Sequence, residues 1–435
     1  MRLPGRILPF GLFLLLTQGA LAQVDPDLAK LARDGNEEWV EDDEGFEDLT
    51  DLSLEDLMNI DVQVTSVSRK AESLNDAAAA VYVISAEDIA RVGARSIPEA
   101  LRLAPGLRVA RLSSGRYSVS SRGFSWLYAD KLLVMIDGRS VYSPRFSGTE
   151  WETIDLPVED IERIEVIRGP GGTMWGSNAV NGVVNIITKP ADDVQDESVT
   201  LVVGDEERLD VQVRGGTKLS ETASMRAFAR YNERDALRPN STGIESGFDQ
   251  LRAGARADVG LDGGAELTVQ ADAYSINNRF GTTYPSPQPP YVRIQDDDRE
   301  TTGGALFGRW TKKHDGGSTS ILQATYAGSD TQSDLVDERR NQFDLWFQNQ
   351  VQFNDTNELV WGASFRYTQV NFTDTAIFDW LGDRNDKLYA GFLQDEIAVT
   401  DDFDLTLGAK LEHNPYTGLE VQPQIRALYR IGENT

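Results

Sequence analysis

Two histidines, His314 and His413, are the side chains of this 435-residue chain whose ordinary pKa suits near-neutral proton transfer, and it has no cysteine nucleophile. Each histidine is isolated and falls near the end of an alternating segment. No H-E-x-x-H or G-x-S-x-G spacing occurs. Carboxylates are too numerous and too scattered to nominate a hydrolytic pair. The one glycine-rich run, Gly169-Pro170-Gly171-Gly172 with Gly176-Ser177 behind it, lacks the lysine that reaches a bound phosphate. No catalytic residue, metal ligand set or cofactor is therefore expected. The chemistry that remains is noncovalent: main-chain pairing of extended segments, and charge pairs between buried surfaces.

The stretch Asp160–Lys189 must position much of it. Ile161–Ile167 alternates, with Arg163 and Glu165 on one face and Ile164 and Val166 on the other. The Gly-Pro-Gly-Gly run reverses the chain. Gly182–Thr188 is almost wholly apolar and reads as a buried strand. Upstream, Val81–Ile84 reads as a strand, Ser85–Asp88 as a capping box opening a helix that Gly93 ends, and Ser96-Ile97-Pro98-Glu99 as a second capping box. Leu132–Ile136, Asp137-Gly138 and Arg139–Tyr142 form a hairpin pattern.

Composition narrows the setting. The formal charge is −28, apolar content is 40% and mean hydropathy is −0.38. That acidity argues against nucleic acid, which needs a basic face. Arg2 and Arg6, the apolar run Ile7–Leu16 and Ala20-Leu21-Ala22 form an export signal, with cleavage expected after Ala22. An exported chain without cysteine is not a disulfide-stapled fold. Residues 23–66 are an acidic leader, largely disordered by composition, ending in the alternating run Asp61, Val62, Gln63, Val64, Thr65, Ser66. Such a segment suits addition to the edge of a partner's sheet, or is simply the first strand of the next domain.

From about Glu197 onward, alternating segments near ten residues long follow one another. Leu405, Leu407, Ala409 and Leu411 oppose Asp404, Thr406, Lys410 and Glu412; Leu251, Ala253 and Ala255 oppose Arg252 and Arg256. A soluble sandwich would also alternate. Charged polar faces, and short turns alternating with long polar loops, favour a transmembrane barrel, whose low hydropathy follows from exposing only every second residue to lipid.

The residues I-P-E-A-L-R-L-A-P-G-L at 97–107, S-R-G-F at 121–124, K-L-L-V-M-I-D-G-R-S-V-Y at 131–142 and I-E-R-I-E-V-I-R-G-P at 161–170, followed by W-G-S-N-A-V-N-G-V-V-N-I-I-T-K at 175–189, closely resemble the plug domain of TonB-dependent outer-membrane receptors. The resemblance implies a mainly β fold: an antiparallel barrel of twenty-two strands in the full family pattern, about a dozen of them within 193–435, with an α+β plug (67–192) in its lumen. A chain lacking the C-terminal part of such a barrel is the expectation. It further implies a TonB box at Asp61–Ser66, plug–barrel charge pairs from Arg163, Glu165 and Arg168, and ligand contacts from Arg116, Tyr117, Trp126, Tyr128, Arg145 and Phe146. Arg163, Glu165 and Arg168 pairing with one another inside the plug is the alternative. The implied partners are TonB, outer-membrane lipid and an extracellular small molecule. A ferric siderophore is the expected cargo, with cobalamin and oligosaccharide as alternatives. A passive porin and a secreted sandwich adhesin are the readings from other classes.

Overall fold

A computed structural model describes residues 63–67, 69–70, 72–74, 77–123, 131–144, 147–176, 178–235, 246–375 and 382–430. The export signal and the acidic leader as far as Val62, and with it the first two residues of the proposed box, Asp61 and Val62, lie outside the described residues.

The N-terminal part begins with a short pair, β1 (Gln63–Val64) and β2 (Glu72–Ser73). Then come β3 (Ala80–Ser85), α1 (Ala86–Arg91), α2 (Ile97–Ala100), β4 (Leu107–Arg111), β5 (Tyr117–Ser121), β6 (Leu132–Ile136), β7 (Arg139–Ser140), β8 (Tyr142–Ser143), β9 (Gly148–Thr149), β10 (Ile161–Arg168), α3 (Gly172–Trp175) and β11 (Gly182–Thr188). Its central sheet runs β3-β10-β11-β6-β7. β10 lies antiparallel to both β3 and β11, while β11 and β6 are parallel. The apolar face packs Ile84, Ile164, Val166, Val184 and Ile186 over Ile97 and Leu101. This is why Gly182–Thr188 is so apolar: a central strand is covered on both sides.

The Ser85 capping box forms, with Asp88 N donating to Ser85 Oγ at 3.0 Å and Gly93 closing α1 at φ 64°. The expected box at Ser96 does not. Its hydroxyl makes no capping bond. The Glu99 carboxylate accepts from Arg95 N (2.9 Å) and the Tyr117 phenol (3.0 Å), so it is committed elsewhere. Asp137 and Gly138 both take positive φ, 49° and 78°, as a two-residue hairpin turn between β6 and β7 requires.

Residues 198–429 form one twelve-stranded antiparallel meander. Its strands are β12 (Ser198–Val202), β13 (Glu207–Ser220), β14 (Ala223–Asp235), β15 (Gly247–Leu261), β16 (Ala265–Pro285), β17 (Val292–Lys313), β18 (Thr319–Gln332), β19 (Asp337–Gln352), β20 (Asn357–Thr373), β21 (Arg384–Thr400), β22 (Phe403–Asn414) and β23 (Gly418–Tyr429). β12 and β23 are its two edges. One end carries the tight turns 221–222, 262–264, 314–318, 353–356 and 401–402. The other carries the connections 236–246, 286–291, 333–336, 374–383 and 415–417.

The side chains of this sheet are inside out relative to a soluble sandwich. Arg226, Arg230, Arg234, Gln250, Arg252, Gln348, Gln394, Lys410 and Glu412 are buried, while Leu251, Leu306, Leu322, Trp361, Leu393, Leu407 and Leu411 are exposed. Apolar residues face outward and polar residues face the N-terminal unit, the arrangement of a membrane barrel wall. β16 and β17, at 21 and 22 residues, extend about 70 Å along the strand at ~3.3 Å per residue, far beyond a ~25 Å apolar band.

Candidate functional site

The described part of the segment Asp61–Ser66 is docked on the central sheet of the small unit. Thr65 N donates to both Glu165 carboxylate oxygens (3.1 and 3.0 Å) and Ser66 N donates to Oε2 at 2.8 Å. Trp175 Nε1 donates to Ser66 O at 2.7 Å, and Asn185 Nδ2 to Ser66 Oγ at 3.0 Å. Val64 and Ser66 are fully buried; Gln63 is exposed. β10 and β11 supply Glu165 and Asn185 from paired positions, so two adjacent strands place an acceptor and a donor under one short extended segment.

Arg163 donates to Glu165 at 3.0 Å and pairs with Glu162. The partners described for Arg163 and Glu165 therefore lie within the small unit and its N-terminal segment rather than on the large sheet. The reason is register: Glu165 sits on the face that Thr65 and Ser66 cover, and its negative charge holds Arg163 beside it. Arg168 lines a cavity it shares with Gln422, Gln424 and Arg426 of β23.

The contacts between the small unit and the large sheet come mainly from other residues. Arg226 reaches Asp160 at 2.6 Å. Arg230 bridges Asp155 (3.5 Å) and Asp210 (2.8 Å) and donates to Arg95 O. Gln250 Nε2 donates to Glu152 O, Arg256 to Thr188 O, Gln270 to Asp137 and Arg309 to Asp137 O. The spacing of Arg226, Arg230 and Arg234 at every fourth residue of a strand is the signal for this row, since it keeps all three on one face. Ion pairs taken from water gain little net stability, because desolvation offsets most of the attraction. An interface built from them fixes register while adding little of the apolar burial that would weld two bodies together. Apolar contacts interrupt it: Phe228 of β14 joins the core of the small unit, and Met174 and Trp175 pack against Trp346, Val360 and Phe392. The approach there is close. Gly176 takes φ 97°, and a Cβ at that position would stand 2.6 Å from Lys410 Nζ and 3.0 Å from Glu412 Oε2.

At the opposite end the 112–116 turn meets the sheet. Ser114 Oγ donates to Ser246 O at 3.2 Å, and the Arg116 guanidinium lies 4.6 Å from the Phe280 ring, whose other neighbour is Arg299 at 5.0 Å. Tyr117 is buried in the core with its phenol donating to Glu99, so it does not point outward. Trp126, Tyr128, Arg145 and Phe146 lie outside the described residues. His314 sits in the 314–318 turn with Nε2 at 3.0 Å from Ser320 Oγ, and His413 stands beside Tyr389. Among the described residues no cluster of acidic or histidine side chains is arranged to hold a metal.

Residues 73–183 match the family model of the TonB-dependent receptor plug domain. The chain carries a TonB-dependent receptor plug. The small unit is thus the plug, and the large sheet is the wall it rests against. An iron-regulated outer membrane virulence protein of Vibrio cholerae is 24% identical over 391 residues, which is 85% of this chain and 57% of the relative. The vitamin B12 transporter BtuB of Photobacterium profundum is 36% identical over 129 residues, 29% of this chain and 20% of that protein. The siderophore receptor PirA from Pseudomonas aeruginosa superposes with a TM-score of 0.61 at 20% identity, covering 81% of this chain and 62% of that one. The ferripyoverdine receptor of the same organism gives 0.64 at 18% identity, covering 85% and 57%. The chain therefore spans about three fifths of the virulence protein and of the two siderophore receptors, and the architecture shared with the solved structures is a plug with an antiparallel barrel wall.

Proposed function

We propose that this chain belongs to an active importer of the bacterial outer membrane, in which the wall spans the lipid, the plug occupies its inner face and Asp61–Ser66 is the segment that TonB takes. The observation that carries this reading is the docking of Thr65 and Ser66 on Glu165. A short β-forming segment that pairs over two residues with β2 and is otherwise held by side-chain hydrogen bonds to Glu165, Asn185 and Trp175 can be exchanged onto a partner's sheet edge. The outer membrane lies far from the nucleotide pool, and work must arrive through such a contact. The tight-turn end would face the periplasm and the long connections the outside.

The cargo is proposed to be a ferric siderophore, in keeping with the iron-regulated and siderophore-receptor relatives. Arg116, half-buried at the long-loop end beside the buried Phe280 ring, offers a cation to an anionic molecule. Similarity over 129 residues to a vitamin B12 transporter makes cobalamin the second candidate. Two measurements test the reading. TonB's periplasmic domain should capture the purified receptor, and Val64→Pro, which removes a main-chain donor from the segment, should abolish capture. A deletion strain should fail to grow on one ferric siderophore while growing on ferrous iron; a growth defect confined to cobalamin would replace the cargo, and capture undiminished by Val64→Pro would remove the mechanism.

A further inference from the structure

The box is docked on the plug, but the residues immediately after it are docked on the wall. Arg69 places its guanidinium 3.9 Å from the Trp175 ring of the plug, 4.6 Å from Trp346 on β19 and 5.2 Å from Phe392 on β21. Its carbonyl accepts from Gln348 Nε2 at 3.0 Å. Lys70 Nζ lies 2.6 Å from Glu358 on β20 and 2.9 Å from Glu396 on β21, with only 11% of its side chain exposed. Arg69 itself takes φ 61°, a conformation unusual for a residue with a Cβ and maintained only where surroundings over-determine it.

The chemistry of the cage is specific. A guanidinium between two indoles and a phenyl is held by the negative faces of the rings, and partial removal from water strengthens that attraction. Lys70 adds two carboxylates at the tight-turn end of the wall. Both side chains follow Ser66 within a few residues, too short a link for the box to swing freely while they stay seated. The three rings come from both bodies, so the cage exists only while plug and wall are together.

We propose that Arg69 and Lys70 are positioning residues that hold the TonB-pairing segment from the barrel wall, so that freeing the segment requires unseating them as well as breaking the Glu165 contact. This rests on the reading of Asp61–Ser66 as the pairing segment. A pull on the box is thereby felt by β19, β20 and β21 before it reaches β3 of the plug sheet.

The absence of cysteine allows a clean test in the full chain, purified in detergent or in vesicles. Val64→Cys is a buried reporter. Arg69→Leu, which keeps bulk and loses charge, should speed its reaction with a water-soluble thiol reagent about tenfold or more, as loss of a desolvated cation–π contact implies. Arg69→Lys should restore slow labelling; a purely steric role would be met by leucine. Trp346→Ala should act like Arg69→Leu from the wall side. Because a large cavity at Trp346 could collapse the wall, the double variant Glu358→Gln/Glu396→Gln supplies an independent arm and should also accelerate labelling. Unchanged rates in Arg69→Leu and in the double glutamine variant would overturn the proposal, as would equal rates for Arg69→Leu and Arg69→Lys. The assay contains neither TonB nor cargo. A freed segment that TonB's periplasmic domain ignores would sink the proposed function and leave the wall anchor standing.

Discussion

Ser66 N lies 2.8 Å from Glu165 Oε2, a contact between residues 99 positions apart in which a buried carboxylate takes the place of a sheet neighbour. The main-chain ladder of this segment covers Gln63 and Val64, opposite Ser73 and Glu72, and does not include Thr65 or Ser66. There the Glu165 carboxylate, with Trp175 and Asn185, holds the chain through side-chain bonds instead. The other oxygen, Oε1, serves Thr65 and Arg163, so releasing the segment leaves Glu165 still paired with a cation. That lowers the cost of undocking.

Glu165→Ala is expected to release the segment without unfolding the plug. Thr65 and Ser66 amides lose their acceptor, and ~1–3 kcal/mol per buried unpaired group drives them into water. Val64→Cys should then label rapidly, while the far-ultraviolet circular dichroism of the receptor stays unchanged. Slow labelling in this variant would show that the cage and Asn185 suffice.

Arg230→Met should destabilise the plug–wall contact by about 3–5 kcal/mol, the usual consequence of stranding buried carboxylates. Here the stranded groups are Asp155 and Asp210. Adding Asp155→Asn and Asp210→Asn to the same chain should recover most of the loss in thermal unfolding. A triple variant no better than the single one would mean that Arg230 acts through its bond to Arg95 O.

Glu152 sets a pH dependence. Burial, then the neighbouring Glu150 carboxylate, push its carboxyl above the ordinary glutamate range, against the pull of Arg116 and Arg299. The folded state therefore holds a proton that the unfolded chain has released, and the stability contributed at this position falls as pH rises through the raised value. Glu152→Gln should unfold at a higher temperature than the parent at neutral pH, and the gap should close as the solution is acidified. A gap independent of pH would place the effect in packing.

Gly176→Val should impair seating of the plug. The position needs φ 97°, and the added Cβ meets the Lys410–Glu412 pair. Strain of ~1–3 kcal/mol is expected from the backbone alone, read as a lower unfolding temperature; an unaltered value would show that the 171–176 turn can be rebuilt.

Much of the architecture was legible because it follows from period and turn chemistry. Asp137-Gly138 between two apolar runs specifies a hairpin, and Leu407, Ala409 and Leu411 against Thr406, Lys410 and Glu412 specify a two-faced strand. The motif at 161–189 marked the plug. What alternation leaves open is which face is wet, and that was decided only by the buried arginines of β14 and β15. Pairing between distant side chains was not legible either. Glu165 was expected at the plug–wall boundary, but register put it beneath Thr65 and Ser66. The Arg69 cage draws on Trp175, Trp346 and Phe392, three residues scattered over more than half the chain, and no local pattern announces such a meeting. The Ser96 capping box failed for a similar reason: Glu99 was claimed by Tyr117, a partner outside the helix.

The most direct test of the account is to lock the box in place. Asn185 Nδ2 meets Ser66 Oγ at 3.0 Å, so Ser66→Cys and Asn185→Cys can be joined by a short bis-methanethiosulfonate linker that reductant removes. The locked receptor should fail to be captured by TonB's periplasmic domain and should recover capture once reduced. Equal capture of the locked and reduced forms would contradict the claim that Asp61–Ser66 must leave the plug to meet its partner.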